Sequence, residues 1–272
     1  NNTAPRVYGG DLNGNLWRFD ISALTASGGT AKVQLLATLV DAVGNPQPIT
    51  ATPQLGMSGS NALVFVGTGS YLSVSDIATT QVQSIYGIKD PLTTSAATGG
   101  IYGSPRAKTC TSTVTTNCFA KQTLTDSANS RTAVPTTSAG VNMNTMYGWF
   151  EDLPESGERI DTDPQLQLGT LVFTSNIPNG ASACSVGGSS YLNYVNYATG
   201  LAVPGSTVVG VLLSNGTTTA LASAPTLVRT TTGKIVAITN LSNGTTLTSS
   251  VPTGGGGLGT RRISWRELIT GQ

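Results

Sequence analysis

Histidine is absent from this chain of 272 residues. Without an imidazole there can be no Ser-His-Asp or Cys-His catalysis and no histidine-ligated zinc, and the commonest general base near neutral pH is missing. Charged residues are also scarce, at 10% of the chain, against roughly 25% in an average soluble protein. The hydrolase and metalloenzyme classes lose most of their support, and we predict a protein that is not an enzyme.

Basic runs and long apolar runs are missing as well. The formal net charge is +1, and no stretch of Lys or Arg could follow a phosphate backbone, so nucleic acid is not an expected partner. No segment reaches the roughly 20 apolar residues that a membrane helix needs. The first residues form neither a basic n-region nor an apolar h-region, so any export signal would lie upstream of Asn1.

The chain has only three cysteines. Cys110 and Cys118 stand close together in a Thr/Ser-rich segment that has little else to hold it in place. This favours a disulfide between them in an oxidising compartment, with two reduced thiols as the alternative. Cys184 is left over, and the sequence leaves open whether it is a partly buried thiol or pairs with something outside the chain.

Glycine, threonine, serine and asparagine are abundant, and they separate short alternating apolar runs. RVYGG and LWRFDIS flank the turn DLNGN, which predicts a β-hairpin. Similar pairs of runs recur along the chain, whereas windows for helices are interrupted, leaving about one turn each at Ile21–Leu24 and Trp265–Ile269. At roughly 40–50 residues for each propeller blade, the recurrence predicts an all-β propeller of about four to six blades.

We expect one propeller domain over residues 1–272, interrupted by loops. Residues 97–145 are rich in Thr and Ser and have few large apolar side chains to bury, which predicts a long, partly mobile surface insertion. The sequence leaves open whether the propeller is complete at its N-terminal end.

The turn DLNGN has two interpretations. Asp11, Asn13 and Asn15 match the opening of a calcium-binding EF-hand loop, but Ser22 stands where the bidentate Glu should be. A hairpin turn held by Asx side chains is the favoured interpretation. Trp17 and Phe19 alternate in the strand that follows, and we expect the Trp17 indole to pack against the next blade.

Acidic residues gather in the segment EDLPESGE, at Glu151, Asp152, Glu155 and Glu158. Two carboxyl groups held about 5–9 Å apart can hydrolyse a glycosidic bond. A charged turn around Pro154 and Gly157 is the favoured interpretation, with Glu158 and Arg159 as a candidate ion pair between blades.

Four segments together resemble the C-terminal domain of the PilC/PilY family of type IV pilus assembly factors and tip adhesins. They are RVYGGDLNGNLWRFDIS, TPQLG followed by VFVGTGSYL, GWFEDLPESGERIDTDPQLQLGTLVFTSNIPN, and RRISWRELI, in the family's order. The residues that carry the resemblance are Asp11, Gly14, Trp17, Asp20, Trp149, Asp152, Pro154, Gly157, Glu158, Arg159 and Trp265.

The resemblance implies a modified, quinoprotein-like β-propeller with long loop insertions, at the C-terminal end of a larger exported protein. It implies a noncatalytic module for type IV pilus assembly, extension and surface attachment. The implied partners are pilin or minor pilin subunits, with a host receptor or a surface glycan as further candidates. The implied location is the bacterial surface, at the pilus tip or in the outer membrane or periplasm.

The resemblance also implies calcium, which this family binds in a loop D-x-D-x-D-x-x-x-D just before the strand matching Arg6–Gly9. This chain departs from the pattern, because Pro5 stands where the last Asp belongs and Asn1 is the only other candidate ligand. Calcium takes six or more oxygens, several of them from carboxylates. The ligands are therefore missing or lie upstream, and we assign no metal-binding residue.

Two further functions stay open. A quinoprotein dehydrogenase shares similar blades, but its calcium-binding acids and adjacent cysteines are not found here. A sugar-binding propeller would stack exposed aromatic rings on glycans, for which Tyr191, Tyr194 and Tyr197 are the candidates. Their offsets mix odd and even, so they cannot share one face of a regular strand, and burial between blades is favoured.

Overall fold

The computed structural model describes residues 5–25, 29–95, 99–135, 140–179, 187–215 and 218–254. Within these ranges nearly all of the regular secondary structure is β-strand, as the sequence predicts. The helical pieces found there are three short 3-10 turns, at Ser22–Thr25, Val74–Ala78 and Arg106–Lys108. The predicted turn at Trp265–Ile269 and the leftover Cys184 lie outside the described residues.

Most strands belong to four antiparallel meanders, in which each strand pairs with the next. The first is β1 Arg6–Gly10, β2 Asn15–Asp20 and β3 Lys32–Thr38. The second is β4 Gln54–Ser58, β5 Asn61–Gly67 and β6 Ser84–Asp90, completed by β9 Gly148–Asp152. The third is β10 Gln165–Gln167, β11 Thr170–Pro178, β12 Gly188–Asn196 and β13 Gly210–Leu212. The fourth is β16 Thr226–Arg229, β17 Ile235–Asn240 and β18 Thr246–Val251.

Two hairpins stand outside the meanders. A small one joins β14 Ser214–Asn215 to β15 Thr218–Thr219. The larger one, β7 Phe119–Ser127 with β8 Ser130–Pro135, lies between the second and third meanders. Strand β7 pairs in parallel with β9, and β8 pairs with β13, so the hairpin joins both meanders into one sheet of ten strands. The edge strands of that sheet meet, with Leu166 of β10 against Gly56 of β4.

The interpretation of residues 97–145 as a surface loop is therefore wrong for much of the segment. Tyr102, Cys110, Cys118, Phe119 and Ala120 are all buried. The segment is poor in large apolar residues, but those it has alternate over a few positions and suffice to bury one face of a hairpin. A Thr-rich composition suits strands as well as loops because Thr is β-branched.

The core consists of three hydrophobic clusters, each between two neighbouring meanders. In the second meander Leu63 and Phe65 face one cluster, while Val64 and Val66 face another. The third meander does the same, since Phe173 faces the cluster of Phe65 and Val172 faces the fourth meander. Strands buried on both faces read as continuous apolar runs, which explains ALVFVG and TLVF. Face-to-face packing of successive meanders is the arrangement of propeller blades.

The expected orientation of β2 is wrong by one residue. Leu16 and Arg18 are buried, whereas Trp17 is half-buried and Phe19 is 36% exposed. Because side chains alternate along a strand, a shift of one position exchanges the two faces. Buried Arg18 explains the error: it bonds Asp90 of β6 and the carbonyl of Thr93, so a cation occupies the face that an apolar pattern would reserve for Trp17.

The hairpin turn after β1 is organised by one carboxylate, as predicted. Oδ1 of Asp11 accepts from the backbone N–H groups of Asn13 and Asn15, each at 2.9 Å, and Oδ2 accepts from Asn15 Nδ2 at 3.0 Å. Oδ2 also takes the Trp17 indole N–H at 3.0 Å. Gly14 has φ +76, and a Cβ there would lie 2.4 Å from the carbonyl oxygen of Leu39, so glycine is required.

The same turn occurs a second time, which sequence reasoning missed. Asp41 accepts from the backbone of Val43 and Asn45 and from the Asn45 side chain, with Gly44 at φ +94. The two turns share the spacing D-x-x-G-N, at residues 11–15 and 41–45. That spacing was available in the sequence as a repeat signal.

We predict that Trp149→Ala lowers the free energy of unfolding by about 3–5 kcal/mol, and that Trp17→Ala lowers it by roughly half as much. Trp149 is wholly buried against Gly87 and donates to the Tyr197 carbonyl at 2.9 Å, whereas Trp17 is half-buried. Urea denaturation of both variants measures the difference. Equal losses would contradict the observed orientation of β2.

Candidate functional site

Residues 152–161, here called the crossover segment, run from β9 to β10 across the ends of two meanders. The backbone of Leu153 donates to Gln83 and that of Ile160 to Thr68, both at 2.9 Å in the second meander. Arg159 exchanges two backbone hydrogen bonds with Asn176 of the third meander. The segment therefore fixes these two meanders to each other, and it holds most of the charged residues that carry the resemblance.

Asp152 begins the crossover segment and is held by three donors. Arg106 forms a two-point ion pair with it, Lys121 Nζ lies at 3.0 Å, and the Ser84 hydroxyl donates at 2.8 Å. Burial acts to raise the pKa of Asp152, but the hydrogen bonds and charge of Arg106 outweigh it and hold the pKa below its usual value. Asp152 is therefore an ionised anchor that ties the 97–145 segment to the second meander.

Glu158 forms a fully buried ion pair with Arg131 of β8. Arg131 Nη1 lies 2.5 Å from Glu158 Oε1 and Nη2 lies 2.8 Å from Oε2, and both side chains are 0% exposed. Arg131 also donates to Asp126 at 2.8 Å, and its guanidinium lies 3.5 Å from the centre of the Tyr191 ring. Burial acts to lower the pKa of Arg131, but Glu158 and Asp126 raise it above its usual value.

The predicted pairing of Glu158 with Arg159 is therefore wrong. Adjacent residues in an extended segment point to opposite sides, and Arg159 points away from Glu158. Its guanidinium donates to four backbone carbonyls, those of Ser70, Asp76, Gly157 and Thr79, at 2.5–3.1 Å. Arg159 thus fixes the loop that follows β5. Arg131, which sequence reasoning missed, gave no local signal beyond being a lone cation in a Thr/Ser-rich stretch.

The turn inside the crossover segment contains Pro154 and Gly157. Pro154 and Glu155 are exposed, in agreement with the charged-turn interpretation at these positions. Gly157 has φ +74, and a Cβ there would lie 3.0 Å from the Thr79 carbonyl oxygen. The glycine lets the chain turn sharply enough for Glu158 and Arg159 to enter the interior on opposite sides.

Glu151, the last but one residue of β9, is a buried carboxyl group without a hydrogen-bond partner among the described residues. It is 0% exposed, and both of its oxygens are unpaired. Its cross-strand neighbour on β7 is Gln122, whose Oε1 is also buried and unpaired, and Gly200 lies close to Glu151 Oε1. Burial raises the pKa of Glu151 well above its usual value, and the charge of Arg131 offsets only part of that shift.

These contacts determine which reactions the acidic residues of the segment EDLPESGE could catalyse. A glycosidase needs two carboxyl groups that reach the substrate, yet Glu151 and Glu158 are both wholly buried. Asp152 is engaged by two cations and a hydroxyl. The arrangement holds meanders together and gives no support to glycoside hydrolysis.

The remaining sequence-predicted residues lie elsewhere. Asp11, Gly14, Trp17 and Asp20 belong to the first meander, where Asp20 pairs with Arg6 at 3.4 Å. Within the described ranges, no hydrogen bond or ion pair joins them to the crossover segment. Cys110 and Cys118 form the predicted disulfide, with an S–S distance of 2.06 Å. Trp265 and Asn1 lie outside the described residues.

The calcium implied by the resemblance does not fit the residues that the structure describes. Pro5 offers no side-chain oxygen, and no group of three or more His, Cys, Asp or Glu residues in the described ranges could hold a metal ion. Tyr191 and Tyr194, two of the three candidate sugar-stacking tyrosines, are buried as expected, and Tyr197 is half-buried with its hydroxyl 3.0 Å from the Met57 carbonyl.

Known proteins are similar to this chain in sequence and in fold. The family model for the PilY1 beta-propeller domain matches residues 1–135. A type IV pilus biogenesis factor PilY1 homolog of Xylella fastidiosa is 32% identical over 293 residues, covering 99% of this chain and 21% of that protein. The type IV pilus biogenesis factor PilY1 of Pseudomonas aeruginosa strain PAO1 is 28% identical over 225 residues, covering 69% of this chain and 18% of that protein.

A solved structure shows the same fold. The crystal structure of the Pseudomonas aeruginosa PilY1 C-terminal domain matches with a TM-score of 0.62 at 21% identity, covering 89% of this chain and 56% of that one. The expected modified β-propeller is thereby confirmed as the fold. The chain spans only about a fifth of the length of the relatives it matches.

We predict that Glu158→Ala lowers the free energy of unfolding by about 3–5 kcal/mol, because it leaves Arg131 charged, buried and without its main partner. Glu155→Ala is the matched control, since Glu155 is an exposed acid three residues away, and we expect a change within about 0.5 kcal/mol. Guanidinium denaturation of both variants tests this. Similar small losses in both would mean that the ion pair is not buried in solution.

We predict that Glu151→Gln becomes more stabilising as the pH rises. The pKa of Glu151 is raised in the folded state. Below the unfolded pKa of about 4.5 the carboxyl is neutral in both states, and its contribution to the free energy of unfolding is fully present. Above that pH the unfolded carboxyl ionises first, which lowers the free energy of unfolding of the wild type. Glutamine is neutral throughout. The melting temperature of the variant minus that of the wild type should therefore increase from pH 4 to pH 8, and a constant difference would contradict the unpaired burial of Glu151.

Proposed function

The chain belongs to the PilY1 family, and from this premise we propose that it is a noncatalytic module of a type IV pilus biogenesis factor. The observation that carries the proposal is the match of 99% of the chain to a PilY1 homolog that is named for pilus biogenesis. Because the chain corresponds to only part of that relative, the activity belongs to a longer parent protein in which this propeller is one module.

The internal chemistry supports a scaffold rather than a catalyst. Glu158, Asp90 and Asp152 are each paired with an arginine between structural units. Catalytic acids and bases must reach a substrate at suitable geometry, whereas these groups are committed to holding meanders together. A propeller fixed in this way presents rigid faces and loop ends on which other subunits can dock.

We propose pilin or minor pilin subunits as the partners, and the bacterial envelope or surface as the location. Both follow from the role that gives the relatives their name. In the ranges that the structure describes, no helix is long and apolar enough to cross a membrane.

Surface attachment is the finer part of the proposal. Residues 111–117 are all exposed, and the disulfide between Cys110 and Cys118 closes them into a small loop. A loop fixed at its base loses less conformational freedom when it binds. We propose this loop as a contact for an attachment partner, separate from the core that serves assembly.

We predict that deleting the module from the parent protein reduces surface pili, adhesion and twitching. Pili counted by electron microscopy, in strains with and without pilus retraction, distinguish failed assembly from excessive retraction. Glu158→Ala and Glu155→Ala in the parent gene provide a destabilised variant and its matched control, and only the first should resemble the deletion. Normal piliation, adhesion and twitching in the deletion strain would overturn the proposal.

The attachment loop has its own test. Replacing residues 111–117 with a Gly/Ser segment of equal length, with both cysteines kept, should lower adhesion without changing the number of pili. Unchanged adhesion would remove the loop from the proposal while leaving the assembly role.

A further inference from the structure

The first meander exposes a row of apolar side chains on the face that points away from the second meander. Arg18 bonds Asp90 of β6, which marks the face turned toward the second meander. Val7, Phe19 and Val33 point the other way and are direct neighbours across the three strands. They are 49%, 36% and 59% exposed, and none of them belongs to a hydrophobic cluster of the described residues.

A second row on the same face is also without charge. It consists of Gly9, Trp17 and Leu35, which are again paired across the three strands. Trp17 and Leu35 are half-buried. The indole N–H of Trp17 already donates to Asp11 Oδ2 at 3.0 Å, so the ring is fixed in place and its polar atom needs no further partner.

This distribution is the reverse of what a sheet with one solvated face shows. Such a sheet turns apolar side chains to the core and polar ones to water, yet here a cation points inward and an apolar row points outward. The fourth meander provides a contrast, because the corresponding outward row is Thr226, Ile238 and Thr248. A contiguous exposed apolar surface marks a place where another protein surface packs.

The order in which the meanders stack indicates what that surface is. The first meander packs on the second, the second on the third, and the third on the fourth, each pair enclosing one hydrophobic cluster. Successive meanders in the chain are therefore neighbours in space. The outward face of the first meander is the position at which a meander preceding it in the chain would stack, and β1 begins at Arg6, near the N-terminal end of the chain.

The relatives contain the additional sequence that such a meander needs. The chain covers 56% of the matched PilY1 C-terminal domain and 21% of the matched Xylella fastidiosa protein. One propeller blade takes roughly 40–50 residues. The length of the relatives outside the match is thus ample for a further blade.

We propose that a further antiparallel meander of the parent protein, from the sequence preceding this chain, packs its own apolar face on Val7, Phe19 and Val33. The inference rests on the longer parent of the proposed function. The partner surface consists of β-branched and aromatic side chains, because a charged group buried against this row would have no partner.

Hydroxyl-radical footprinting, read by mass spectrometry, compares the exposure of Phe19 in the 272-residue chain and in the parent protein. We expect oxidation of Phe19 to fall about fivefold in the parent, because packed sheets exclude water. Leu72 is the internal control, since it is 70% exposed on the loop after β5, and its oxidation should change less than about twofold. Both proteins are unmutated, so the comparison does not depend on a variant that folds.

Photo-crosslinking identifies the segment that covers the row. The parent protein carries p-benzoylphenylalanine in place of Val33, and a matched control carries it in place of Val43, which is 83% exposed in the turn at Asp41. We expect position 33 to cross-link to a peptide within roughly 50 residues before this chain, the length of one blade. Position 43 should not cross-link to that peptide.

Equal oxidation of Phe19 in the chain and in the parent would overturn the proposal, and so would a cross-link from position 33 to any other part of the parent. Oxidation of Phe19 that falls as the concentration of the 272-residue chain rises would assign the row to a second copy instead. Oxidation that increases when residues 255–272 are deleted would assign it to the chain's own C-terminal segment. None of these outcomes affects the pilus role, which is measured by piliation of the parent strain.

Discussion

The buried ion pair between Arg131 and Glu158 is the interaction on which the arrangement of the middle of the molecule depends. It brings together β8, the crossover segment and, through Ser175 and Asn193, the third meander. Removing two charges from water is expensive, and the cost is offset only when every donor and acceptor is engaged. Here Asp126 and the Tyr191 ring complete the surroundings of the guanidinium, so the pair defines one geometry and disfavours others.

Ion pairs join structural units at two other places. Arg18 of the first meander meets Asp90 of the second, where the Tyr8 hydroxyl also donates to Asp90 at 2.7 Å. Arg106 of the 97–145 segment meets Asp152 at the end of β9. Stacked sheets with similar apolar faces can slide or pair out of register, and a buried ion pair forms in one register only. Six charged side chains, in three ion pairs, are thus placed between structural units.

The groups that hold the fold lie apart from the most exposed loops. The ion pairs and the three hydrophobic clusters lie inside, while the disulfide-closed loop 111–117 lies at the surface. Arg159 fixes the loop after β5 in the same way, since its guanidinium donates to the carbonyls of Ser70 and Asp76.

The sequence by itself determined the features that depend on neighbours a few residues apart. The all-β class follows from alternation and turn chemistry, the Asp11 turn from its own Asx side chain, and the Cys110–Cys118 bridge from two cysteines in one short loop. The family was recognised from four sequence segments that occur in this chain in the family's order. The same local logic would have found the second turn at Asp41, had the D-x-x-G-N spacing been compared along the chain.

Only the tertiary structure decided which charges meet and which faces are buried. Glu158 pairs with a residue 27 positions away rather than with its neighbour, and Arg18 pairs with a residue 72 positions away. The contact of Arg18 explains why the buried face of β2 is the opposite of the expected one. The ion pair of Glu158 lies on the Thr-rich hairpin that joins two meanders. Local propensity acts over a few residues, whereas the partner of a buried charge is selected by desolvation once the sheets have packed, and that selection leaves no periodicity in the sequence.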